Sequence, residues 1–319
     1  MPLPTGDVIG ILADNLRLRR SVLPISKRNA TRWARGLDLP RGGETILYTG
    51  MMYQLIPYIE GLVKKEKSYG DSFLAHFTGI ARVINKLVNV SFFMVRPSAG
   101  LRDAYNQVPI DVATLLKNAG VEFGYLYNDD LYSGALAYDL GTDEQVLAHA
   151  RKVHAVLKKH GVKTVITIDP HTTNMLRSVY PKLLPGYDVQ VKTYLEVLAE
   201  KDPAAVHGLG LELELHDPCV FARYENLVAE PRKLLAAAGA VVKEPERTGR
   251  MTWCCGGPVE ALYPEKAAAN ARKRVDQLRE AGSEIVTMCP MCLINLGNAG
   301  SDGVTFNDIS HYLRRAFVT

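Results

Sequence analysis

Two stretches of the sequence, ARKVHAVLKKHGVKTVITIDPHTT at residues 150–173 and ARKRVDQLREAGSEIVTMCPMC at residues 271–292, follow one plan. Each begins with Ala-Arg-Lys, continues as a helical run to a glycine eleven residues on, and then enters an apolar strand. The strand leads into Asp-Pro-His-Thr in the first stretch and into Cys-Pro-Met-Cys in the second. This shared order indicates two copies of one α/β unit in tandem.

Strands and helices are predicted to alternate along the rest of the chain as well. Short apolar runs bounded by glycine or proline favour parallel sheets that are covered by helices on both faces. Strands are predicted at 45–49, 121–127, 162–168, 188–192, 211–215, 240–243, 284–288 and 304–306. Gly161 and Gly282 end the helical runs of the repeat as C-terminal caps. The predicted fold class is α/β, with two pseudo-symmetric units.

The chain divides into three predicted segments. Residues 1–45 form a basic arm or connector. Residues 46–203 form the first unit, with an inserted helical segment at 66–100, and residues 204–319 form the second unit. Two related halves would place a functional cleft between them.

Composition and hydropathy narrow the class of protein. Hydrophobic residues make up 47% and charged residues 23% of the 319 residues, which is enough apolar content for two packed units. No run approaches the roughly eighteen apolar residues of a membrane span. The N-terminus lacks the basic-then-apolar layout of a secretion signal. We therefore expect a cytoplasmic protein without a membrane span.

Positive charge is concentrated in the arm at residues 1–45. It holds eight Lys and Arg against four Asp and Glu, and this difference equals the net charge of +4 of the whole chain. Nucleic-acid binding is one interpretation of such an arm, but no aromatic interleaving or nucleic-acid motif accompanies it. We expect no nucleic-acid partner, and an arm that lies on its own unit or docks on an acidic partner subunit.

All five cysteines lie in the second copy, as Cys219, Cys254-Cys255 and Cys289-x-x-Cys292. A secreted disulfide scaffold would spread an even number of cysteines through a short chain, so this grouping indicates a metal site or redox chemistry. Loops at equivalent strand ends converge at the carboxyl edge of a parallel sheet, where open α/β folds bind ligands. Helices that begin there point backbone N–H groups at an anion.

The number of cysteines leaves three kinds of site open. Structural zinc takes four ligands, usually as two spaced pairs, whereas here one pair is adjacent and a fifth sulfur is left over. A disulfide between adjacent cysteines is strained and uncommon. Iron–sulfur clusters take four thiolates, so five cysteines imply a spare redox thiol or an unusual cluster. We predict an iron–sulfur cluster with the ligands Cys219, Cys254, Cys255, Cys289 and Cys292.

Three motifs resemble the CCG domain, a cysteine-rich domain of heterodisulfide reductase catalytic subunits: His216-Asp217-Pro218-Cys219, Cys254-Cys255-Gly256-Gly257 and Cys289-Pro290-Met291-Cys292. That domain also occurs in iron–sulfur subunits of lactate, glycolate, glycerol-3-phosphate and succinate oxidising systems, usually as two tandem copies. In heterodisulfide reductase the complete five-cysteine motif is associated with a non-cubane [4Fe–4S] cluster. The resemblance implies one such cluster on the five cysteines of this chain.

The first copy departs from the family pattern. The resemblance places cysteines near Met51, at Tyr132-Ser133, at Asp169 and at Thr172, and none of these residues is cysteine. We therefore expect a degenerate CCG domain that keeps the fold and completes the pocket.

Three further residues are candidate proton donors to a thiol substrate: His216, His171 and Tyr132. His216 lies three residues before Cys219, so it could donate to a sulfur or carry a proton. His171 and Tyr132 would face the cluster across the cleft. Alternatively, His216 only holds its loop in place. His171 and Tyr132 would then be polar residues that fill the pocket left by the lost cluster.

The resemblance implies an iron–sulfur subunit of a heterodisulfide-reductase-like complex, with redox chemistry at a small or protein-bound thiol or disulfide. No ferredoxin-type cysteine run precedes the connector. The implied partners are therefore a separate ferredoxin-type iron–sulfur subunit and a flavoprotein subunit. Two alternatives stay open: an electron-relay subunit of a lactate-, glycolate- or succinate-type oxidoreductase, and a zinc-binding scaffold subunit.

Overall fold

A computed structural model describes residues 5–23, 25–69, 97–260, 262–300 and 303–319. The inserted segment predicted at 66–100 falls mostly outside these residues. The described residues form two α/β units in sequence order, each built on a four-stranded sheet, so the predicted fold class is confirmed. Within the same residues, no helix combines the length and the apolar character that crossing a bilayer requires.

The two sheets have the same topology. The first contains β1 (Thr45–Tyr48), β2 (Gly124–Tyr125), β3 (Thr164–Thr167) and β4 (Gln190–Thr193), in the order β2-β1-β3-β4. The second contains β5 (Glu212–Leu215), β6 (Val241–Lys243), β7 (Glu284–Thr287) and β8 (Thr305–Asp308), in the order β6-β5-β7-β8. All neighbouring strands are parallel. The strand order reverses between β1 and β3 and between β5 and β7, and ligands of open α/β folds bind at such points.

The central strands are buried on both faces. The last three residues of β1, β3, β5 and β7 are all buried. Because successive side chains of a strand point to opposite faces, each sheet must be covered on both sides. The strand predicted at 121–127 is shorter in the structure, at Gly124–Tyr125. The backbone of Tyr125 also forms hydrogen bonds with Pro40 and Gly42.

Helices fill the connections between the strands. In the first half of the chain they are Thr5–Arg19, Lys27–Ala30, Met52–Tyr69, Ala99–Asn118, Ala135–Asp139, Asp143–Lys159, Pro170–Asn174, Tyr180–Leu183 and Tyr194–Lys201. In the second they are Ala229–Ala237, Pro264–Ala281, Pro290–Ala299 and Ile309–Phe317.

The two repeat helices end at the predicted glycines by different means. Gly161 has a left-handed backbone with φ of +66°, which favours glycine. Gly282 occupies the cap of its helix with an extended backbone that any residue can adopt. Glycine is required at this position because a Cβ at Gly282 would overlap the carboxylate of Glu214.

The basic arm lies on the first unit. Its helix Thr5–Arg19 packs beside the helix Asp143–Lys159. Leu16 and Trp33 are fully buried, and Trp33 Nε1 donates a hydrogen bond to Tyr125 Oη at 3.3 Å. The arm therefore packs on its own unit, which is one of the two placements that the sequence predicts.

Buried polar contacts join the two units. Tyr53 Oη of the first unit donates to Asp308 Oδ2 of the second at 2.5 Å. Arg314 of the C-terminal helix forms an ion pair with Asp111 at 2.9 Å. Asp308 and Asp111 are both buried, and each accepts one hydrogen bond from its own unit and one from the other unit.

Candidate metal centre

The five cysteines gather at the carboxyl edge of the second sheet. Cys219 follows β5, and Cys254-Cys255 lies in the connection after β6. Cys289 follows β7 and caps the helix Pro290–Ala299, whose first turn carries Cys292. The reversal of strand order between β5 and β7 thus brings cysteines from both strand ends to one crevice.

The sulfur atoms are in contact but not bonded. The Sγ atoms of Cys219 and Cys254 are 3.7 Å apart, and those of Cys255 and Cys292 are 3.3 Å apart. All five are free thiols, since a disulfide bond is about 2.05 Å long. Cys255, Cys289 and Cys292 are buried, whereas Cys219 and Cys254 are partly exposed. The centre therefore has a closed side and an open side.

The connection that carries the adjacent cysteines is held from several directions. Gly256 donates its N–H to Cys254 Sγ at 3.3 Å. Asn270 Nδ2 donates to the carbonyl of Cys254 at 2.5 Å, and Asn270 Oδ1 accepts from Trp253 Nε1 at 2.7 Å. Gly256 has φ of +82°, and a Cβ there would lie 2.8 Å from the carbonyl of Ala267. Only glycine fits this turn.

The helix Pro290–Ala299 points its N-terminus at the centre. Cys289 is its N-cap and Pro290 its first residue, which suits proline because no N–H is needed there. The unpaired N–H groups and the helix dipole favour negative charge at this end. This end of the helix therefore favours a thiolate at its N-cap, Cys289.

The five thiols do not share one protonation state. Hydrogen bonds from Cys219 and Cys255 lower the pKa of Cys254 to about 2. Burial raises the pKa of Cys289, but contacts with Cys292 and His171 together with the charge of His171 outweigh it, and the net shift is downward. The pKa values of Cys219, Cys255 and Cys292 are raised, in each case first by the hydrogen bond to a neighbouring cysteine. A metal that binds at Cys219, Cys255 or Cys292 would therefore have to displace a proton from a thiol whose pKa is raised.

Two fully buried basic side chains, His216 and Arg274, lie beside the cysteines. Arg274 Nε donates to His216 Nδ1 at 3.1 Å, and its Nη1 donates to the carbonyl of Arg247 at 2.9 Å. Burial and then the charge of Arg274 lower the pKa of His216 to about 3, so the imidazole is neutral. His216 Nε2 and Arg274 Nη2 have no hydrogen-bond partner in the described part of the chain.

Asp217 fixes the loop between β5 and Cys219. Its carboxylate accepts two hydrogen bonds from Arg232, at 2.9 and 2.8 Å, and one from Gly249 N at 2.7 Å. Its carbonyl accepts from Thr252 Oγ1 at 2.9 Å. Asp217 therefore ties the Cys219 loop to the segment that leads into Cys254.

His171 of the first unit reaches the same centre. Burial lowers the pKa of His171, but contact with Cys289 and the charge of Asp139 outweigh burial and raise it to about 9. Its Nε2 lies 3.9 Å from Asp139, and neither ring nitrogen has a hydrogen-bond partner among the residues that the structure describes. A protonated imidazole thus stands against Cys289 from across the interface.

Tyr132 has its contacts within the first unit. Its hydroxyl accepts the N–H of Leu136 at 2.6 Å, and its carbonyl is bonded to His149 at 2.6 Å. Burial raises the pKa of Tyr132 well above its ordinary value. Of the three candidate proton donors, His216 and His171 therefore lie at the cysteines, while Tyr132 is held by its own unit.

The first unit repeats the shape of the centre with oxygen in place of sulfur. Thr172 Oγ1 donates to Ser133 Oγ at 3.3 Å. Cys292 and Cys255 hold the equivalent positions of the second unit, and their Sγ atoms are also 3.3 Å apart. Gly134 follows Ser133, Gly256 follows Cys255, and both glycines have a left-handed backbone. The loss of cysteine in the first unit has therefore left the backbone of the site in place.

A pocket of about 480 Å³ opens at Cys254. It is lined by Trp253 and by the three arginines Arg223, Arg247 and Arg250. The guanidinium of Arg247 lies 5.1 Å from the ring centre of Trp253, a cation–π distance. Arg223 donates to backbone carbonyls rather than to a carboxylate. The open side of the centre is therefore electropositive.

Two residues of the centre, Arg274 and Asp139, were not predicted from the sequence. The sequence repeat could have pointed to Arg274, because it aligns this residue with Val153 and so places an arginine at a core position of an amphipathic helix. No sequence pattern points to Asp139, because only the fold brings it near His171. Among the described residues, no three His, Cys, Asp or Glu side chains are arranged to hold a single metal ion.

Comparison with known proteins finds relatives along this chain. EtfAB:quinone oxidoreductase of Syntrophomonas wolfei is 30% identical over 214 residues, which cover 63% of this chain and 29% of that protein. The probable iron-sulfur-binding oxidoreductase FadF of Bacillus subtilis is 31% identical over 210 residues, with coverages of 63% and 30%. One chain of the fumarate reductase (CoM/CoB) of Methanothermobacter marburgensis is 29% identical over 141 residues, with coverages of 43% and 28%. The protein thus spans less than a third of the length of each of these relatives.

A protein family also matches most of the second unit. Residues 213–297 match the CCG family, described as a cysteine-rich domain. The matched segment runs from β5 to the helix that follows β7, and it contains all five cysteines. The second unit of this chain belongs to the CCG family of cysteine-rich domains.

Proposed function

We propose that this chain is an iron–sulfur subunit of a heterodisulfide-reductase-like complex, with thiol–disulfide or related sulfur redox chemistry at one non-cubane [4Fe–4S] cluster. The observation that carries the proposal is the convergence of five free thiols on one sheet edge, within a CCG domain. The proposed ligands are Cys219, Cys254, Cys255, Cys289 and Cys292. Relatives named as oxidoreductases, one of them iron-sulfur-binding, support the redox role.

The surroundings of the thiols suit a negatively charged cluster. The N-terminus of the helix Pro290–Ala299 and the N–H of Gly256 face the sulfurs. Buried Arg274 adds a positive charge, and His216 adds an unpaired ring nitrogen. When bound, the cluster would supply single electrons and an iron atom that can accept a substrate sulfur. Positive charge and N–H donors around the sulfurs stabilise such a centre and tune its potential.

The open side of the centre is the proposed substrate entrance. Cys219 and Cys254 are the partly exposed sulfurs, and the pocket at Cys254 is lined by Arg223, Arg247 and Arg250. Guanidinium groups pair well with carboxylate, phosphate and sulfonate groups. The pocket therefore favours a thiol or disulfide that carries such an anionic group, and the Trp253 ring offers an apolar surface for its carbon chain.

His171 is the proposed proton donor at the closed side. Reduction of a disulfide yields two thiolates, which need protons to leave as thiols. The contact with Cys289 and Asp139 keeps the imidazole protonated at neutral pH, through the raised pKa of His171. A proton held at His171 can pass to a developing thiolate nearby.

Electrons would enter or leave through partner proteins. We include a ferredoxin-type iron–sulfur subunit and a flavoprotein among the proposed partners. The chain matches less than a third of relatives such as EtfAB:quinone oxidoreductase, so further redox groups would lie on other parts of the complex.

A second candidate function is electron relay. The relatives with 63% coverage of this chain are named EtfAB:quinone oxidoreductase and FadF, and neither name refers to a sulfur substrate. In that role the five cysteines would hold the same cluster, but no substrate would enter the arginine-lined pocket.

Electron paramagnetic resonance separates these two functions. The protein, purified without oxygen, is poised at several potentials and then mixed with an anionic disulfide, with its thiol, or with a thioether of the same size and charge. Sulfur chemistry at the cluster predicts a changed signal with the thiol or disulfide and none with the thioether. An unchanged signal with all three compounds would reject sulfur chemistry at the cluster and support electron relay. Zinc in place of iron on elemental analysis would reject both.

A further inference from the structure

Arg274 is an unusual residue for the core of an α/β unit. It lies on the buried face of the helix Pro264–Ala281 and is 0% exposed. Its Nε bonds to His216 Nδ1, its Nη1 bonds to the carbonyl of Arg247 and to Gln277 Oε1, and its Nη2 has no partner among the described residues. All of these acceptors are neutral.

No acid pairs directly with this buried charge in the described part of the chain. Asp217 is the acid whose charge acts most strongly on Arg274, but its carboxylate is already bonded twice to Arg232 and also to Gly249 N. Burial lowers the pKa of Arg274 to about 10, which leaves it protonated at neutral pH. An unbalanced cation in a protein interior is costly, so a negative group is expected nearby.

The internal repeat provides a comparison within one molecule. The triplets Ala150-Arg151-Lys152 and Ala271-Arg272-Lys273 align, so the position of Arg274 is held by Val153 in the first unit. Val153 is buried as well. The unit with five thiols therefore has a buried cation at this position, and the unit with hydroxyl groups in place of thiols has an apolar side chain. The cation occurs together with the thiols and is absent without them.

His216 links the cation to the cysteines. Because His216 Nδ1 accepts a hydrogen bond from Arg274, the proton of the neutral ring is on Nε2. That N–H is buried and has no acceptor among the described residues. His216 is the first residue after β5 and precedes Cys219 by three residues. The equivalent residue of the first unit, Thr49, follows β1 and has no ring to relay a charge.

We propose that Arg274, acting through His216, is the counter-charge of the cluster and raises its reduction potential. This inference rests on the cluster of the proposed function. Addition of one electron makes the cluster one unit more negative, and a fixed cation stabilises that reduced state more than the oxidised one. The His216 N–H then has a sulfur acceptor, which satisfies the buried donor.

The test compares Arg274→Met with Arg272→Met. Both substitutions remove one arginine from the helix Pro264–Ala281, but Arg272 is exposed and Arg274 is buried. The measurements are the midpoint potential of the reconstituted cluster, the rate of iron loss to a chelator, and the unfolding temperature of the iron-free protein. Arg274→Lys, which keeps the charge, is the conservative variant.

We expect a more negative midpoint potential in Arg274→Met and about 10-fold faster iron loss. The iron-free form of Arg274→Met should be at least as stable as wild type, because an unbalanced cation has been replaced by an apolar side chain. Arg274→Lys should stay closer to the wild-type potential, and Arg272→Met should match it.

Equal potentials in Arg274→Met and wild type would overturn the proposal, as would equal shifts in Arg274→Met and Arg274→Lys. A purely structural arginine would instead lower the stability of the iron-free protein and leave the potential unchanged. If Arg274→Met does not fold, the midpoint potential of the cluster is measured in His216→Met instead. A potential equal to that of wild type would then contradict the proposal. A wild-type protein that binds no iron would reject the proposed function itself, so the two failures are distinct.

Discussion

Ser133 and Thr172 show how the first unit differs from the second at the scale of single residues. Their hydroxyl groups lie 3.3 Å apart, as the thiols of Cys255 and Cys292 do. Hydroxyl groups of serine and threonine remain protonated at neutral pH and are poor ligands for iron–sulfur clusters, which take thiolates. Hydroxyl groups in place of thiols at these two positions therefore help to separate a polar core from a candidate ligand set.

One prediction compares equivalent positions of the two units. Cys289 and Asp169 are the N-caps of equivalent helices. Cys289→Ser should lower the iron content of protein purified without oxygen by about 10-fold, because a buried ligand is lost. Asp169→Asn should keep wild-type iron content, since the first unit holds no cluster. Iron and sulfide analysis measures both. Loss of iron in Asp169→Asn alone would contradict the assignment of the cluster to the second unit.

At the scale of elements, the ends of strands and helices decide which side chains meet. The sequence predicts the central strands well, because short strand-forming runs are followed by glycine- or proline-containing motifs. β1, β3 and β7 are largely apolar or β-branched, whereas β5 alternates glutamate with leucine. It also predicts that cysteines after β5 and β7 converge, since parallel strands share a carboxyl edge. It cannot give the protonation of each thiol, which depends on distances between loops.

The helix Tyr194–Lys201 provides a test of stability against pH. Thr193 and Glu196 form a capping box, and Glu196 also binds Arg177. Burial raises the pKa of Glu196, but these hydrogen bonds outweigh it, and the net shift is downward. A lowered pKa in the folded state stabilises the protein above the unfolded pKa of about 4.3. That contribution is lost as the pH falls.

Glu196→Gln should therefore lower the free energy of unfolding by about 1–2 kcal/mol at neutral pH. The difference from wild type should shrink as the pH falls below about 4. Glu200→Gln on the exposed side of the same helix is the control, and it should cost less than about 0.5 kcal/mol at either pH. Urea unfolding at pH 7 and pH 3 measures both. An equal cost for Glu196→Gln at both pH values would contradict the assignment.

The arginine-lined pocket makes a prediction about ligand charge. Replacing both Arg247 and Arg250 by Gln should raise the concentration of anionic disulfide that half-saturates the paramagnetic response by about 10-fold, or about 1.4 kcal/mol. A neutral disulfide of similar size should be unaffected. Arg272→Gln with Arg279→Gln removes the same charge from exposed positions and should change neither value. Equal losses for anionic and neutral disulfides would contradict a charge-selective entrance.

At the scale of the whole molecule, the centre is built by both units. His171 of the first unit contacts Cys289 of the second, while Tyr53 bonds to Asp308. Sequence patterns cannot give such pairings, because Tyr53 and Asp308 are 255 residues apart and belong to different units. The repeat predicts that the two halves face each other, but which residues meet across their interface follows only from how the units pack.

The proposed function depends most directly on what the five thiols hold. The measurement is iron, acid-labile sulfide and zinc per chain in protein prepared without oxygen from its natural host. We predict roughly four iron and four sulfide per chain, and loss of both in Cys289→Ser. Colourless protein with zinc, or with no metal and intact thiols, would contradict it.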